Sequence, residues 1–470
     1  MKLKNLFLII LGLLILIPTI VMAQMEGKST LAFTHVTVIP MDEERVLTDQ
    51  TVLVKEGRIV AMGLSFAIIV PDGATVINAE GKYMIPTLSD MHIHLEGDAW
   101  NLLLPPELKE PKDAPDFSDI LFLYLANGIT TVEIMSALPE HIELREEIKR
   151  GELLGSRLIL SRMLDGPDKA WPPPISTWVR NPQEAQEAVA DAHNQGYDRI
   201  KAYSFLSKAA YDALLNTAKD LNMGVDGHVP LALSVEQVVA AGQNAIVHSE
   251  ELMKFAKGNY SEEQIAYYAK LVAESNTWVT PTLSTSNSIV SLLADPEKEM
   301  SLPESEYMGP MAKGIWSFMN TTLYQTIPEE YKPGINEGYE SFQRPFTYAF
   351  HKAGGKILTG TDALLPGIAH GFSIHKELEE LVAVGITPFE ALKASTTNPF
   401  EFLGELDNAG TVELGKASNL LLLEENPLEA ISNTRKIFGV LVKDRWLPKE
   451  EIKSRLNNIS KAYAEMELEH

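Results

Sequence analysis

Between residues 83 and 364 the chain alternates eight short apolar runs with helix-patterned segments, and few folds satisfy that alternation. The runs are YMIPTLSDMHIHL, GITTVEIM, SRLILSRML, YDRIKAYSF, MGVDGHVP, NAIVHSEEL, TWVTPTLST and KILTGTDAL. Apolar runs of this length, separated by patterns such as NPQEAQEAVADAHNQG and SKAAYDALLNTAKDLN, read as buried parallel strands joined by helices. Eight such units close into a (β/α)8 barrel, expected over residues 85–404. Residues 286–350 are too long for a simple crossover and rich in Met, Tyr and Pro, so a helical insertion over the barrel mouth is expected there. The flanks read differently: LAFTHVTVIP, QTVLVKEGRIVAMG and ATVINAEGK on one side, GTVELGKASNLLLLEENPL and IFGVLVKDRWL on the other, are short strands. The expected fold class is therefore α/β, a TIM barrel plus a small β-sandwich domain. That domain joins residues 24–84 to 405–450 and leaves 451–470 as a C-terminal tail.

A barrel of this kind does its chemistry at the C-terminal ends of its strands, so the polar residues at those ends are the candidates. The first run ends in His92 and His94; alternation along a strand turns both imidazoles to one side. The fourth carries Lys201, the fifth ends in His228, the sixth in His248 and the eighth in Asp362. Each has a bland reading: a strand-end histidine is usually structural, a lysine can snorkel, an aspartate can cap its own loop. Five of eight strands would need such a reading at the same edge, and a metal site explains all five at once.

The rest of the chain bounds the setting. MKLKNLFLIILGLLILIPTIVMAQ has Lys2 and Lys4, an apolar stretch and a small Ala23, the pattern of a secretory signal peptide over residues 1–23. The other reading is an uncleaved membrane anchor. Cleavage predicts a periplasmic or secreted product with no membrane attachment. The absence of cysteine excludes disulfides, thiolate metal sites and a cysteine nucleophile. With 64 acidic against 40 basic residues and a formal charge of −24, nucleic acid is not the expected partner. A small-molecule substrate is expected, and self-association into a homo-oligomer is left open.

The stretches DMHIHL, NGITTVE, DRIKAYSFLS, GHVP, IVHSEEL, WVTPTL, ILTGTDA, HKELEELVAVGITPFEALKASTTNPFEFLG and GTVELGKASNLLLLEENPL resemble the amidohydrolase superfamily of metal-dependent hydrolases. The likeness runs over about residues 31–448, and is strongest to the branch of imidazolonepropionase-like, prolidase-like and arginine-carboxypeptidase-like enzymes and ochratoxin-type amidases. The resemblance implies that His92 and His94 ligate a first, more buried metal, with Asp362 as its third protein ligand and the general base. It implies that Lys201 is carboxylated by carbon dioxide and bridges to a second metal held by His228 and His248. A carbamate is a hard oxygen donor where an ammonium is none. Zinc is the first expectation, manganese or iron the alternatives. Two departures bear on specificity: Pro86-Thr87 stands where relatives have Pro-Gly, and Glu133 where the second strand commonly ends in arginine.

Weaker candidates follow. Tyr203, two residues after Lys201, is either an oxyanion donor or a packing residue of the mouth. Glu250 and Glu251 read as loop acids before metal neighbours, and His370 and His375 as structural. His35, His141, His193 and His351 read as surface or packing residues, and Trp171 and Trp178 mark either an apolar subsite or a proline-stiffened loop packed on itself. The sequence-level expectation is an exported binuclear hydrolase of amide bonds in dipeptides or N-acyl amino acids. The alternatives are a hydrolase of cyclic amides or lactones, a deaminase, and a catalytically silent metal-binding protein.

Overall fold

The computed structural model describes residues 30–97, 100, 104, 116–167 and 171–468. The expected signal peptide and residues 98–99, 101–103, 105–115, 168–170 and 469–470 lie outside the described residues. The chain opens with five strands, β1 (Leu31–Val38), β2 (Leu47–Lys55), β3 (Arg58–Leu64), β4 (Thr75–Asn78) and β5 (Tyr83–Pro86). The barrel strands follow: β6 (Leu88–Ile93), β7 (Ile129–Ile134), β8 (Arg157–Asp165), the two-residue β9 (Thr177–Trp178), β10 (Arg199–Ala202), β11 (Gly224–Gly227), β12 (Ala245–Val247) and β13 (Trp278–Thr280). Three more strands, β14 (Leu420–Leu423), β15 (Ile437–Val442) and β16 (Arg445–Pro448), return to the first group.

Seven strands run in parallel in the order β6-β7-β8-β10-β11-β12-β13, with β9 beside β8. The eighth run, KILTGTDAL, is expected as a strand but forms none of regular geometry. Residues 356–363 still close the barrel, because Leu358 N donates to Val279 O at 3.0 Å on one side and Asp362 N to His92 O at 2.7 Å on the other. The physical cause is a polar latch. The buried Asp90 carboxylate on β6 accepts from Thr361 N at 3.0 Å and Thr361 Oγ1 at 2.6 Å, sharing that amide with His92 O at 3.2 Å. Asp362 then turns out of extended geometry at φ 55°. The connecting helices are bounded as their sequences require. In Pro182–Gln195, Asn181 caps the N-terminus by accepting from Glu184 N, Pro182 opens the first turn, and Gly196 ends the helix at φ 90°.

Both chain ends meet in the β-sandwich domain, with strand order β16-β15-β14-β5-β1-β2-β3 and β4 beside β1. The joint is β14 antiparallel to β5, with Leu420 opposite Pro86. Leu420 and Leu422 enter the sandwich core with Phe33, Val52 and Met84, while Leu421 and Leu423 join the barrel core, the period-two alternation of a strand buried on both faces. Only Thr87 separates β5 from β6, so the sandwich anchors the strand that carries the paired histidines.

The expected insertion is a set of helices, chiefly Leu283–Ala294, Pro310–Thr322, Lys332–Gly338 and Arg344–Lys352. Met308, Met311, Ile315, Trp316 and Met319 from it pack with Trp100, Met163 and Ile175 at the barrel mouth. Residues 451–470, expected as a tail, instead fall almost entirely within the helix Lys449–Leu468. Its narrow apolar stripe of Ile452, Ile459 and Tyr463 is buried, and Arg455 covers the Phe122 ring at 4.1 Å. Among the described residues no helix is long and apolar enough to cross a membrane.

Candidate functional site

The six strand-end residues singled out by the sequence come together in one cluster. Asp362 Oδ1 lies 3.2 Å from His92 Nε2 and 3.1 Å from His94 Nε2, and its Oδ2 is 3.9 Å from His248 Nε2. Lys201 Nζ stands 3.4 Å from His92 Nε2. The His92 and His248 ring centroids are 4.7 Å apart, and those of His228 and His248 are 5.2 Å apart. Two of these residues sit on left-handed backbone, His248 at φ 71° and Asp362 at φ 55°, an uncommon conformation that concentrates at functional sites.

Three imidazoles are oriented from behind. His94 Nδ1 pairs with Ser136 Oγ at 2.7 Å, His228 Nδ1 with Ser204 Oγ at 2.8 Å and His248 Nδ1 with Thr282 Oγ1 at 2.8 Å. Each pairing leaves the other ring nitrogen for the cluster, the usual arrangement behind a metal-binding histidine. Sequence reading missed these hydroxyls, because isolated serines and threonines on loops carry no pattern. His92 Nδ1 and His228 Nε2 are buried without a hydrogen-bond partner among the described residues, a costly state that a bound cation would relieve for a ring nitrogen facing it. His92, His248 and Asp362 each offer an atom within 4.8 Å of the others and can hold one ion. Nitrogen and carboxylate donors without thiolate suit zinc, manganese or iron.

The electrostatics favour cation-binding forms. Burial pushes His92 down to about 3, assisted by Lys201, and burial likewise lowers His94, His228 and His248, so these rings are neutral at pH 7. Burial alone would raise Asp362, but His92, His94 and His248 outweigh it and hold the carboxyl well below its ordinary range. Burial brings the Lys201 amine down to about 8, against the pull of Asp362, Glu251 and Glu133.

The secondary candidates divide. Tyr203 lies at the cluster, its ring centroid 4.0 Å from that of His228, and burial raises its hydroxyl. Glu251 is not a loop acid: it is 1% exposed, lies 3.1 Å from His228 Nδ1, and accepts from Val229 N and Lys254. The helix Glu250–Ala256 turns it inward while Glu250 stays at the pocket wall. Glu133 is buried away from the mouth. It accepts from Ser161 Oγ at 2.6 Å and faces Arg199 at 3.6 Å, so Ser136 is the residue of that segment that meets the cluster. His370 bridges Tyr124 and Glu96, and His375 bridges Thr434 and Asn127, both as buried structural links. His141 is buried against Leu138 N and Glu96 O. Trp171 packs within its own loop and also faces the cavity. Its carbonyl accepts from Ser176 and from Trp178 Nε1, and its side chain lines the cavity. That cavity, about 250 Å³, opens over the cluster between the insertion and the barrel.

A family model described as the amidohydrolase family matches residues 83–447. No curated protein matches the chain. Among solved structures, a Xaa-Pro dipeptidase with bound methionine in the active site is 20% identical and covers 89% of this chain and 100% of its own, with a TM-score of 0.68. Bottromycin amidohydrolase is 18% identical over 93% of this chain and 91% of its own, with a TM-score of 0.71. An A. niger ochratoxinase is 18% identical over 89% and 96%, with a TM-score of 0.65. At these identities the likeness is one of fold.

Proposed function

Because the chain belongs to the amidohydrolase family, and so hydrolyses carbon–nitrogen bonds, we propose that it is an exported binuclear hydrolase of small peptide-like amides, dipeptides and N-acyl amino acids being the first candidates. The observation that carries this reading is the convergence of His92, His94, Lys201, His228, His248 and Asp362, with the buried His228 Nε2 left unpaired.

His92, His94 and Asp362 would hold the first ion, and His228 and His248 the second. Lys201 would bridge them as a carbamate. Its buried ammonium, brought down to about 8, first loses one proton to free the nitrogen lone pair; that nitrogen attacks carbon dioxide, an N–C bond forms as one C–O π bond opens onto oxygen, and a second proton leaves the nitrogen to give the carbamate. When bound, two divalent ions, zinc first and manganese or iron as alternatives, would supply a polarised carbonyl and an acidified water. The chain's own part is proton handling and shape. Asp362, ionised in the resting site, accepts a proton from the attacking water and returns it to the departing nitrogen. Tyr203, a neutral phenol at the wall, donates to the oxygen where charge develops. Insertion residues Met319 and Tyr324 help wall the cavity, which limits water beside the scissile bond.

Two measurements test this. Metal analysis of the full chain should return about two ions per chain, falling to about one in Lys201→Ala with turnover down more than a hundredfold. Unchanged activity in that variant would sink the binuclear mechanism. Incubation with dipeptides, N-acyl amino acids, lactones and amino-heterocycles should release amines from the amides. Ammonia or ring-opened products alone would move the protein to the deaminase or cyclic-substrate class. Export rests on the N-terminal pattern, and a mature protein beginning at Gln24 in the periplasm or medium is its test.

A further inference from the structure

Beyond the cluster itself, the cavity is apolar and aromatic. The Trp100 ring lies 6.3 Å from His94 and 5.5 Å from Trp171, so two indoles line the wall next to the first pair of histidines. Met163, Ile175, Met319 and Leu365 complete that wall. Among the described residues lining the cavity only two are lysines or arginines, Lys201 and Lys254. Lys201 belongs to the cluster. Lys254 is spent on acids: it donates to Glu251 and lies 3.5 Å from Glu250.

Four serine and threonine hydroxyls of the wall are also engaged, leaving the phenols of Tyr203 and Tyr324 beside them. Ser136 pairs with His94, Thr282 with His248, Thr285 donates to the Thr361 carbonyl, and Ser286 donates to Gln343 at 2.6 Å. A substrate carboxylate placed beyond the cluster would therefore lose its water, find no free lysine or arginine among the described residues, and stand near Glu250 and Glu251. Burying a charge without a partner is strongly unfavourable, whereas an aromatic or aliphatic group gains from the indole wall.

We propose that the site selects amides whose departing amine carries an aromatic or bulky apolar group and no free carboxylate, such as N-acyl arylalkylamines and peptides with neutral ends. This rests on the amide-hydrolase reading and redirects its preferred substrate away from free amino acids as leaving groups. Where Glu250 and the paired Lys254 line the pocket, a substrate carboxylate meets acids and a lysine already held by them.

The test uses N-acetylphenethylamine and N-acetyl-L-phenylalanine, which differ only by the carboxylate, with N-acetylethylamine to remove the ring. Each is measured on the metal-supplemented full chain, for kcat/KM by product analysis and for Kd by calorimetry. The arylalkylamide should exceed both others at least tenfold in kcat/KM and in affinity. Trp171→Ala should narrow the gap between the aromatic and ethyl amides. Glu250→Lys, at a partly exposed position, should improve the carboxylate substrate at least tenfold. Equal or tighter binding and turnover of N-acetylphenylalanine by the wild type would overturn the inference while leaving amide hydrolysis standing. If no compound is cleaved yet the neutral aromatic amide alone binds, amide hydrolysis falls and the recognition inference survives. Absence of any binding preference overturns it.

Discussion

The cluster depends on side chains that touch no substrate. Glu251 Oε1 sits 3.1 Å from His228 Nδ1, beside the Ser204 hydroxyl. Partners of this kind fix ring orientation and raise donor strength, and their loss typically costs about 10–100-fold in metal affinity. Glu251→Gln should therefore weaken the more loosely held metal by about that factor, measured by chelator competition, while the content of the other ion stays unchanged. The six cluster residues were legible because each ends an apolar run at an equivalent height. Glu251 was not, since HSEEL offers two adjacent acids and only the helix that follows decides which turns inward. Glu133 misled for a related reason. The strand continues past it, so a residue that looks terminal in the sequence sits inside the barrel.

At the level of elements, the alternation of apolar runs with helical patterns made most of the barrel readable, and the structure adds the Asn181 cap and the Gly196 stop to the helix between them. The eighth run escaped because its regularity is broken by side-chain chemistry, which periodicity does not report. The Asp90 carboxylate gathers Thr361 N and Oγ1 and sets where Asp362 turns. Burial raises Asp90 to about 7, against the opposing hydrogen bonds from Thr361. Thr361→Val keeps the volume but deprives that carboxylate of a donor. It should cost about 1–3 kcal/mol in denaturant unfolding and lower turnover more than KM rises, because Asp362 is the next residue. The C-terminal helix was missed for the opposite reason: its sequence is polar and its buried stripe too narrow to stand out.

Over the whole molecule, two buried histidines tie stability to pH. Burial holds His141 at about 4 and His375 at about 3, so both are neutral in the fold. With folded values below the unfolded one near 6.5, each contributes stability above that pH and loses it as the pH falls from there towards the folded value. The contribution of these two histidines to the thermal midpoint should therefore shrink on going from about pH 7 to about pH 5, while Glu133 and Glu377, which burial raises to about 8, change in the opposite sense. His375→Gln keeps polar contacts available to Thr434 and Asn127 but cannot be protonated, and its midpoint should lose less over that interval than the wild type's. An identical change would remove His375 from the account.

The pairing of β14 with β5 has a consequence for how the protein is made. His92 and His94 emerge early in synthesis, yet the strand that precedes them gains its outer neighbour only when Leu420–Leu423 arrives, and Asp362 also lies late in the chain. Contacts so distant in sequence form slowly, because loop closure must be completed before they are rewarded. A growing or translocating chain thus carries its histidines through most of its biogenesis without the geometry to trap an ion. Any ion the cluster holds would then be acquired late, once Leu420–Leu423 has docked and Asp362 is in place.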